Sequence, residues 1–333
     1  MPQAVKFCVP DDYPPVYQDF PEDLEPLRAR GEVSIFTSRQ ESQEELIARL
    51  EGVLALINVR AYSIFDASAL DALSDLQLIS VLGTGTDNID LEAATKRGVV
   101  VANAPGANAV SVAEHTMLLL LAAARHLGKV DRAMHEGRWE HHLGIELRGK
   151  TLGLLGLGAI GREVAQMARG FGMRVVGWSF RNDPDRARQL GVELLERDDV
   201  IRQADALSLH LRLTPETQNL IGRRELAMMK HGAILVNTAR AALVDEAALI
   251  EAVKGGQLSA VGLDVFTPEP LPAQSPLRML ENAILTPHLA WVTDAASARL
   301  RRVPVENILA FLDGQPQNVV NPAALDHPRY RLK

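Results

Sequence analysis

Cysteine and aromatic residues are scarce in this chain. Of its 333 residues only Cys8 is a cysteine, and Phe, Trp and Tyr together make up 5%. A single cysteine cannot form an intramolecular disulfide, so the chain is not a disulfide-stabilised secreted scaffold. Because Cys8 lies in the apolar run 4–9, we predict that its thiol is buried in a core and is not a nucleophile.

Long apolar runs and blocks of positive charge are also missing. The longest apolar stretch, residues 117–124, is far shorter than the roughly 20 residues that a membrane-spanning helix needs. The N-terminus has one lysine before a short apolar run broken by proline and aspartates, which is unlike an export signal. A net charge of −7 without a Lys/Arg cluster argues against nucleic acid as a partner. We therefore expect a soluble, cytoplasmic protein without nucleic-acid or membrane partners.

Short apolar runs rich in Val, Ile and Leu alternate with amphipathic segments along most of the chain. This alternation is typical of parallel strands that are buried on both faces and joined by helices. The predicted strands are residues 4–9, 33–36, 54–59, 78–81 and 99–102, then 151–157, 174–178, 206–210, 233–236, 260–265 and 283–285. The length suits two domains. The sequence therefore predicts an α/β fold with two doubly wound parallel-sheet domains.

Two long helical segments, residues 108–127 and 294–312, flank the second series of strands. Because only a short apolar run and a polar tail follow residue 312, we expect the C-terminus to pack back onto the first domain. This predicts a substrate-binding domain of residues 1–102 plus 293–333 and a dinucleotide-binding domain of residues 103–292. Two crossovers would make a hinge with a cleft for ligands. The run 117–124 suits either a core helix or a subunit interface, and we expect a homodimer.

A glycine-rich turn, Gly156-Leu157-Gly158-Ala159-Ile160-Gly161, follows the predicted strand 151–157 and opens a helix. In this context Gly156 permits a tight turn, Gly158 lets the backbone approach a pyrophosphate, and Gly161 lets helix and strand pack closely. The first backbone N–H groups of the helix, around Ala159 and Ile160, are free to bind phosphate oxygens. We therefore predict that this turn binds a dinucleotide.

The next strand carries the signal for the choice between NAD and NADP. An acid that binds the adenosine ribose is expected at its end if the cofactor is NAD, but Ser179 stands there, with Arg181 two residues on. A hydroxyl and a guanidinium can bind a 2′-phosphate, so we predict NAD(P) as cofactor with a preference for NADP. The alternatives are that Arg181 is a solvated turn residue and that Asp183 reaches the ribose instead.

Three polar side chains follow strands of the second series: Arg240, Glu269 and His288. Carboxyl ends of parallel strands are where such sheets gather their chemistry. A guanidinium can bind a keto acid through two parallel hydrogen bonds, and an imidazole beside a carboxylate can donate a proton near neutral pH. Following a dinucleotide-binding turn, these groups indicate a redox enzyme for 2-hydroxy acids.

With these segments in this order, residues from about 54 to 321 resemble the D-isomer-specific 2-hydroxyacid dehydrogenases. This family includes D-3-phosphoglycerate dehydrogenases and glyoxylate/hydroxypyruvate reductases. The resemblance implies a flavodoxin-like substrate domain and a Rossmann NAD(P)-binding domain joined by two crossover helices. It also implies that His288 is the proton donor and acceptor, Glu269 its orienting partner, and Arg240 the group that binds the substrate carboxylate and keto oxygen.

The resemblance implies further binding residues. Asp264 corresponds to the family's contact to the nicotinamide carboxamide, and Thr238 lies beside the cofactor. In the first domain, backbone N–H groups of Gly83, Thr84 and Gly85 would bind the substrate carboxylate. Arg60 is either a substrate-binding arginine or an exposed surface arginine, and Trp291 is either a wall of the substrate pocket or a bulky core residue.

Three functions remain open at this point. We favour an NAD(P)-dependent dehydrogenase for a small 2-keto or D-2-hydroxy acid of the glyoxylate or hydroxypyruvate type. A phosphoester substrate normally recruits several additional cations, and Arg60 is the one additional cation that the sequence suggests. The alternatives are D-3-phosphoglycerate dehydrogenase, although we expect no room for an appended regulatory domain, and a dinucleotide-sensing, corepressor-like scaffold. No metal is predicted, because the adjacent His141 and His142 cannot face one ion together and no other ligands complete a set.

Overall fold

The computed structural model describes residues 4–59, 62–181 and 183–328. The chain divides into two compact units. The first unit is Met1–Asn108 with Thr293–Lys333, and the second unit is Ala109–Val292. Arg60 lies outside the described residues. The assignment of substrate to the first unit and dinucleotide to the second stays a prediction.

Each unit contains a sheet in which every strand pair is parallel. In chain order the strands are β1 Lys6–Val9, β2 Glu32–Ile35, β3 Ala55–Asn58, β4 Leu78–Val81, β5 Val100–Ala102, β6 Thr151–Leu155, β7 Arg174–Trp178, β8 Val192–Leu194, β9 Ala206–Leu209, β10 Ala233–Asn237, β11 Leu258–Leu263 and β12 Ala283–Leu285. The first sheet has the order β2-β1-β3-β4-β5, and the second has β12-β11-β10-β9-β6-β7-β8. The first order is flavodoxin-like, and the second is the Rossmann order with one added strand. The predicted α/β fold with two doubly wound sheets is confirmed.

Helices connect the strands of both sheets. They are α1 Glu25–Arg28, α2 Gln43–Arg49, α3 Ala67–Ala72, α4 Leu91–Lys96, α5 Ala109–Ala124, α6 Leu127–His135, α7 Ala159–Gly170, α8 Pro184–Leu190, α9 Arg197–Gln203, α10 Arg223–Met228, α11 Glu246–Lys254 and α12 Asp294–Leu312, with short 3-10 turns at Pro21–Leu24, Ala241–Leu243, Pro276–Met279 and Pro322–Asp326. None of the helices within the described ranges combines the length and apolar character needed to cross a membrane.

Short polar side chains set where many of these helices begin. Ser42, Asp66, Asp90 and Asp245 each accept a hydrogen bond from the backbone N–H three residues further on, at the starts of α2, α3, α4 and α11. Such a cap satisfies one of the helix's free N–H groups and stabilises it by about 1 kcal/mol. Each cap follows a strand or its loop, so the chain turns into the next helix without a long connection.

The strands at the centre of the second sheet are buried on both faces. All residues of β6 and β10 are buried, as their mostly apolar sequences predict. The middle of α5 packs on this sheet, where Leu119 and Leu120 are buried and a β-carbon on Gly262 would overlap the side chain of Leu119. The run 117–124 is therefore mostly core, although Leu118 is 51% exposed.

Two elements differ from the sequence-based expectation. The predicted helix 108–127 ends at Ala124, and after His126, which has a left-handed φ of 52°, a second helix, α6, begins. The strand β8 was not predicted, because it is only three residues long and pairs with β7 alone at the sheet edge. In the first unit, Val319 forms an antiparallel bridge with Ala102, so the C-terminal segment packs on β5.

Candidate active site

His288 and Glu269 form a hydrogen-bonded pair in the second unit. The Nδ1 atom of His288 lies 2.7 Å from Oε2 of Glu269, and the second oxygen, Oε1, accepts from the backbone N–H of Phe266 at 2.9 Å. The side chain of His288 remains 43% exposed. His288 also has a left-handed φ of 52°, a conformation that is uncommon for a residue with a β-carbon. The pair therefore leaves the far side of the imidazole, Nε2, open to a substrate.

Glu269 is ionised at neutral pH. Burial opposes its charge, but hydrogen bonds from His288 and from the Phe266 N–H, with the positive charge of Arg240, outweigh burial and lower the pKa of Glu269. A carboxylate can only accept hydrogen bonds, so Nδ1 of His288 carries the hydrogen of this contact. Nε2 is left as the nitrogen that can give or take a proton.

Arg240 follows β10 in a loop that Asn237 shapes. The buried side chain of Asn237 accepts from the backbone N–H of Ala239 at 3.0 Å and donates to the carbonyl of Arg240 at 2.9 Å. The half-buried guanidinium of Arg240 donates to the carbonyl of Ala239 at 2.8 Å. The positive charge of Arg240 thus acts on the carboxylate of Glu269, and Arg240, Glu269 and His288 all lie within the second unit.

The three glycines of the turn after β6 have different surroundings. Gly156 has a φ of +105°, and a β-carbon there would lie 2.5 Å from the carbonyl oxygen of His210. A β-carbon on Gly161 would overlap the carbonyl oxygen of Gly156, whereas one on Gly158 would meet nothing within 4 Å. Gly156 and Gly161 are therefore required by the backbone and its packing, and Gly158 leaves open space.

These surroundings fit a dinucleotide. The turn lies at the point where the strand order reverses, between β6 and β9, which is where such sheets bind nucleotides. The helix α7 begins at Ala159, and the N–H groups of Ala159, Ile160 and Gly161 have no partner within the helix. The space at Gly158 lets a pyrophosphate approach those N–H groups.

The end of β7 holds the residues that predicted the choice of cofactor. Ser179 is half-buried and Arg181 is exposed, while Phe180 packs edge-to-face on Trp178 with ring centroids 4.7 Å apart. Asp183 caps α8 by accepting from the N–H of Arg186 at 3.0 Å. One oxygen of Asp183 is thus engaged in the fold, which weakens the alternative that Asp183 binds the ribose.

Asp264 and Thr238, the predicted neighbours of the nicotinamide, are buried and hydrogen-bonded within the protein. Oδ1 of Asp264 accepts from the Thr286 hydroxyl at 2.6 Å and the Leu289 N–H at 3.0 Å, and Oδ2 accepts from the Ala290 N–H at 2.9 Å. Burial opposes its charge, but the nearby imidazole of His115, the Thr286 hydroxyl and these two N–H groups outweigh burial and lower the pKa of Asp264. Both oxygens therefore hold the segment that carries His288, and their role at the nicotinamide stays a prediction.

The predicted carboxylate-binding loop follows β4 in the first unit. Gly83 has a φ of +145°, and its carbonyl accepts from the Ala104 N–H at 2.7 Å. The carbonyl of the exposed Thr84 accepts from the side chain of Asn103 at 2.8 Å, and Gly85 is half-exposed. These bonds fix the loop and leave its function a prediction. Trp291, in the second unit, is half-buried, which decides neither of its two interpretations.

Sequence reasoning missed Arg162, His115 and Thr116. Arg162 lies in the first turn of α7 and donates from Nε to the Gly158 carbonyl at 3.1 Å. The sequence contained a signal for Arg162, because a positive charge in the first turn of a helix is unfavourable unless an anion binds nearby. His115 and Thr116 lie in α5 directly before its apolar run 117–124. The imidazole of His115 contacts the Thr286 hydroxyl, and the hydroxyl of Thr116 contacts the Thr238 hydroxyl.

His210 lies beside the glycine turn, and its imidazole is held neutral. Burial lowers the pKa of His210 to about 4. Its Nε2 atom lies 2.9 Å from the Ser208 hydroxyl, and its buried Nδ1 has no hydrogen-bond partner in the structure described. A base of that pKa is neutral at physiological pH. Residues 4–59, 62–181 and 183–328 contain no group of His, Cys, Asp and Glu that could hold a metal ion.

Comparison with known proteins identifies the family. Residues 117–290 match the model of the NAD binding domain of the D-isomer specific 2-hydroxyacid dehydrogenases. The chain is 42% identical over 304 residues to D-3-phosphoglycerate dehydrogenase of Archaeoglobus fulgidus, covering 90% of this chain and 57% of that protein. It is 40% identical over 313 residues to glyoxylate reductase of Aeropyrum pernix, covering 91% of this chain and 93% of that protein. The chain therefore belongs to the D-isomer specific 2-hydroxyacid dehydrogenase family, as its motifs predicted.

A solved structure gives the same result for the fold. The glyoxylate reductase from Paecilomyes thermophila matches with a TM-score of 0.87 at 30% identity, covering 96% of this chain and 99% of that chain. The chain spans just over half the length of the phosphoglycerate dehydrogenase it matches and nearly all of the Aeropyrum glyoxylate reductase.

Proposed function

We propose that this protein is an NAD(P)-dependent D-2-hydroxyacid dehydrogenase that interconverts a small 2-keto acid and its D-2-hydroxy acid. The observation that carries the proposal is the hydrogen bond between His288 and an ionised Glu269, with the charge of Arg240 acting on the same carboxylate. This pair can supply a proton at a fixed nitrogen, and the arginine can bind an α-keto carboxylate. Membership of the D-isomer specific 2-hydroxyacid dehydrogenase family and similarity to a glyoxylate reductase support the same chemistry.

Each of the three side chains has a distinct role in keto acid reduction. When bound, the nicotinamide dinucleotide supplies the hydride that reduces the keto carbon. Arg240 binds the carboxylate and keto oxygen and draws electron density toward that oxygen. His288, charged, donates the proton on Nε2 to the oxygen, and Glu269 stabilises the charged ring through Nδ1. In the reverse direction the neutral ring accepts the hydroxyl proton at Nε2.

For the substrate, we favour glyoxylate, hydroxypyruvate or a similar small keto acid over a phosphoester. A phosphoester substrate normally recruits additional cations, and the 40% identity to glyoxylate reductase of Aeropyrum pernix over 91% of this chain is in line with this preference. Phosphoglycerate chemistry remains the alternative, since D-3-phosphoglycerate dehydrogenase of Archaeoglobus fulgidus is also similar over 90% of this chain. For the cofactor, we propose NADP over NAD, because Ser179 and the exposed Arg181 stand where a ribose-binding acid would be needed.

We also propose that the protein is a cytoplasmic homodimer. Large apolar side chains of α5, α6 and the segment after them are exposed, among them Leu118, Trp139 at 78% and Leu143 at 97%. Exposed apolar side chains of this size on neighbouring elements favour a protein partner. Sedimentation velocity tests the dimer, and Leu118→Asp should shift the protein toward monomer; a wild-type monomer would end this proposal.

A substrate panel and one variant test the proposed function. Purified protein is assayed with glyoxylate, hydroxypyruvate, pyruvate, phenylpyruvate and phosphohydroxypyruvate, each with NADH and NADPH. We expect turnover of a small keto acid, a higher kcat/KM with NADPH, and a selective loss with NADPH in Arg181→Ala. His288→Ala should lower kcat by a factor of about 10²–10⁴ with little change in dinucleotide affinity. Dinucleotide binding without turnover of any keto acid would favour a sensing scaffold instead.

A further inference from the structure

Two adjacent polar residues of α5 reach the loops that carry Arg240 and His288. Nε2 of His115 lies 2.9 Å from the Thr286 hydroxyl and 3.5 Å from Oδ1 of Asp264. The hydroxyl of Thr116 lies 2.9 Å from the hydroxyl of Thr238. Both α5 residues are buried, at 8% and 1% exposure, inside the second unit.

The two threonines that they contact occupy equivalent positions. Thr238 is the first residue after β10 and stands two residues before Arg240. Thr286 is the first residue after β12 and stands two residues before His288. Since β11 pairs with both strands, these loops leave the same edge of the sheet with one strand between them. One turn of one helix thus contacts both loops.

The direction of the hydrogen bonds around His115 follows from the acceptors. Asp264 is ionised and buried, so Thr286 must give its single hydroxyl proton to that carboxylate, at 2.6 Å. The Thr286 oxygen can then only accept, and Nε2 of His115 carries the hydrogen that it accepts. His115, Thr286 and Asp264 therefore form one directed chain, and Asp264 extends it to the N–H groups of Leu289 and Ala290 on the far side of His288.

The bonds around Thr116 are fixed in the same way. The Thr116 hydroxyl donates to the carbonyl of Val112, four residues earlier in the helix, at 2.8 Å. It has no second proton, so the hydroxyl of Thr238 donates to it. Thr238 is tied to α5 immediately before the turn that carries Arg240.

We propose that His115 and Thr116 are positioning residues, which set the spacing between the His288 and Arg240 loops by tying both to one rigid helix. This inference rests on the proposed function, because spacing matters only if both side chains act on one keto acid. The proton donor and the carboxylate clamp must be placed to within a fraction of an ångström of the reacting atoms. A displacement of about 1 Å caused by a distant substitution can cost about 10²-fold in rate.

Paired variants separate the hydrogen bonds from packing. His115→Leu and Thr116→Val remove them, while His115→Gln keeps an N–H near the position of Nε2 and Thr116→Ser keeps the hydroxyl. We expect kcat for the keto acid to fall about 10-fold or more in the Leu and Val variants, with NADPH affinity, measured by fluorescence titration, within about twofold. The Gln and Ser variants should recover most of the lost kcat.

The first unit offers a matched control for Thr116. Thr95 donates to the Leu91 carbonyl, four residues earlier in α4, and accepts from the side-chain amide of Asn321. Like Thr116, it therefore bonds its own helix and one side chain outside that helix. Thr95→Val should lower stability as Thr116→Val does and leave kcat unchanged. Equal losses of kcat in Thr95→Val and Thr116→Val would overturn the inference. It would also be overturned if His115→Gln were as slow as His115→Leu and Thr116→Ser as slow as Thr116→Val.

Hydrogen exchange gives a readout that does not depend on turnover. In His115→Leu, the backbone amides of residues 286–292 should exchange faster than in the wild type. In Thr116→Val, the amides of residues 238–243 should exchange faster. The exchange rates of β6 and α7 should be unchanged in both variants. If the wild-type protein reduces no keto acid, the proposed function fails, and the exchange data still decide whether α5 holds the two loops. Unchanged exchange in both segments would overturn the inference by itself.

Discussion

A β-carbon on Gly161 would overlap the carbonyl oxygen of Gly156, while a β-carbon on Gly158 would meet no atom within 4 Å. The same methyl group should therefore have opposite effects at the two positions. Gly161→Ala must move α7 away from β6, and we expect the free energy of unfolding to fall by about 1–3 kcal/mol. Gly158→Ala should leave stability unchanged and raise the dissociation constant for NAD(P)H about tenfold or more, because its methyl fills the space predicted for the pyrophosphate.

Urea unfolding and fluorescence titration check both halves of this prediction. Each variant serves as the control for the other, since both add one methyl group to one turn. If Gly158→Ala binds the dinucleotide as tightly as the wild type, the space at Gly158 is not the pyrophosphate site. If Gly161→Ala unfolds at the wild-type urea concentration, the backbone relaxes around the new methyl group at little cost.

The charge of Glu269 should govern the pH dependence of keto acid reduction. Because its folded pKa is lowered, Glu269 is ionised throughout the usual assay range, and a change in rate above pH 6 does not come from its own titration. Glu269→Gln keeps an oxygen that accepts from Nδ1 of His288 and removes the charge that favours the protonated ring. We expect the alkaline limb of kcat/KM to move to lower pH, because the protonated ring loses a neighbouring negative charge. An unmoved limb would show that Glu269 orients the ring without stabilising its charge.

Arg240 should be replaceable by neither a smaller cation nor a neutral side chain. Arg240→Lys keeps a positive charge near Glu269 but loses the planar pair of donors that matches a carboxylate and a keto oxygen. We expect KM for the keto acid to rise and kcat to fall together, about tenfold each, with dinucleotide affinity unchanged. Steady-state kinetics and a cofactor titration give both values. Wild-type kcat in this variant would mean that Arg240 only attracts the substrate.

Regular elements were predictable wherever burial and the apolar pattern coincide. The bounds of β7, β12 and α12 match the predicted residues 174–178, 283–285 and 294–312. The predicted strand 260–265 instead runs from Leu258 to Leu263, and the next residue, Asp264, bonds the loop of residues 286–290 through its carboxylate. Strand patterns do not register such non-local bonds.

The site was predictable in its residue types and not in its supports. The resemblance predicts that Asp264 lies at the nicotinamide, and that role stays a prediction. The hydrogen bonds of its oxygens to the segment around His288 depend on β11 and β12 being neighbours in the sheet. The contacts of His115 and Thr116 depend in the same way on where α5 packs. The sequence signal for them was a pair of adjacent polar residues directly before the apolar run 117–124 of α5.

The buried imidazole of His210 should make the fold sensitive to mild acid. Its folded pKa of about 4 lies below the roughly 6.5 of an unfolded histidine, so the unfolded chain binds the proton more tightly. This contribution to stability is complete above about pH 7 and is lost as the pH falls toward 4, by about 1–3 kcal/mol. His210→Gln, which cannot take up a proton and keeps a partner for Ser208, should show a drop in Tm between pH 7 and pH 4.5 that is several degrees smaller than in the wild type. His231→Gln removes an exposed imidazole and should show the same drop in Tm as the wild type. An equal drop in Tm in the wild type and both variants would mean that His210 does not cause the acid sensitivity.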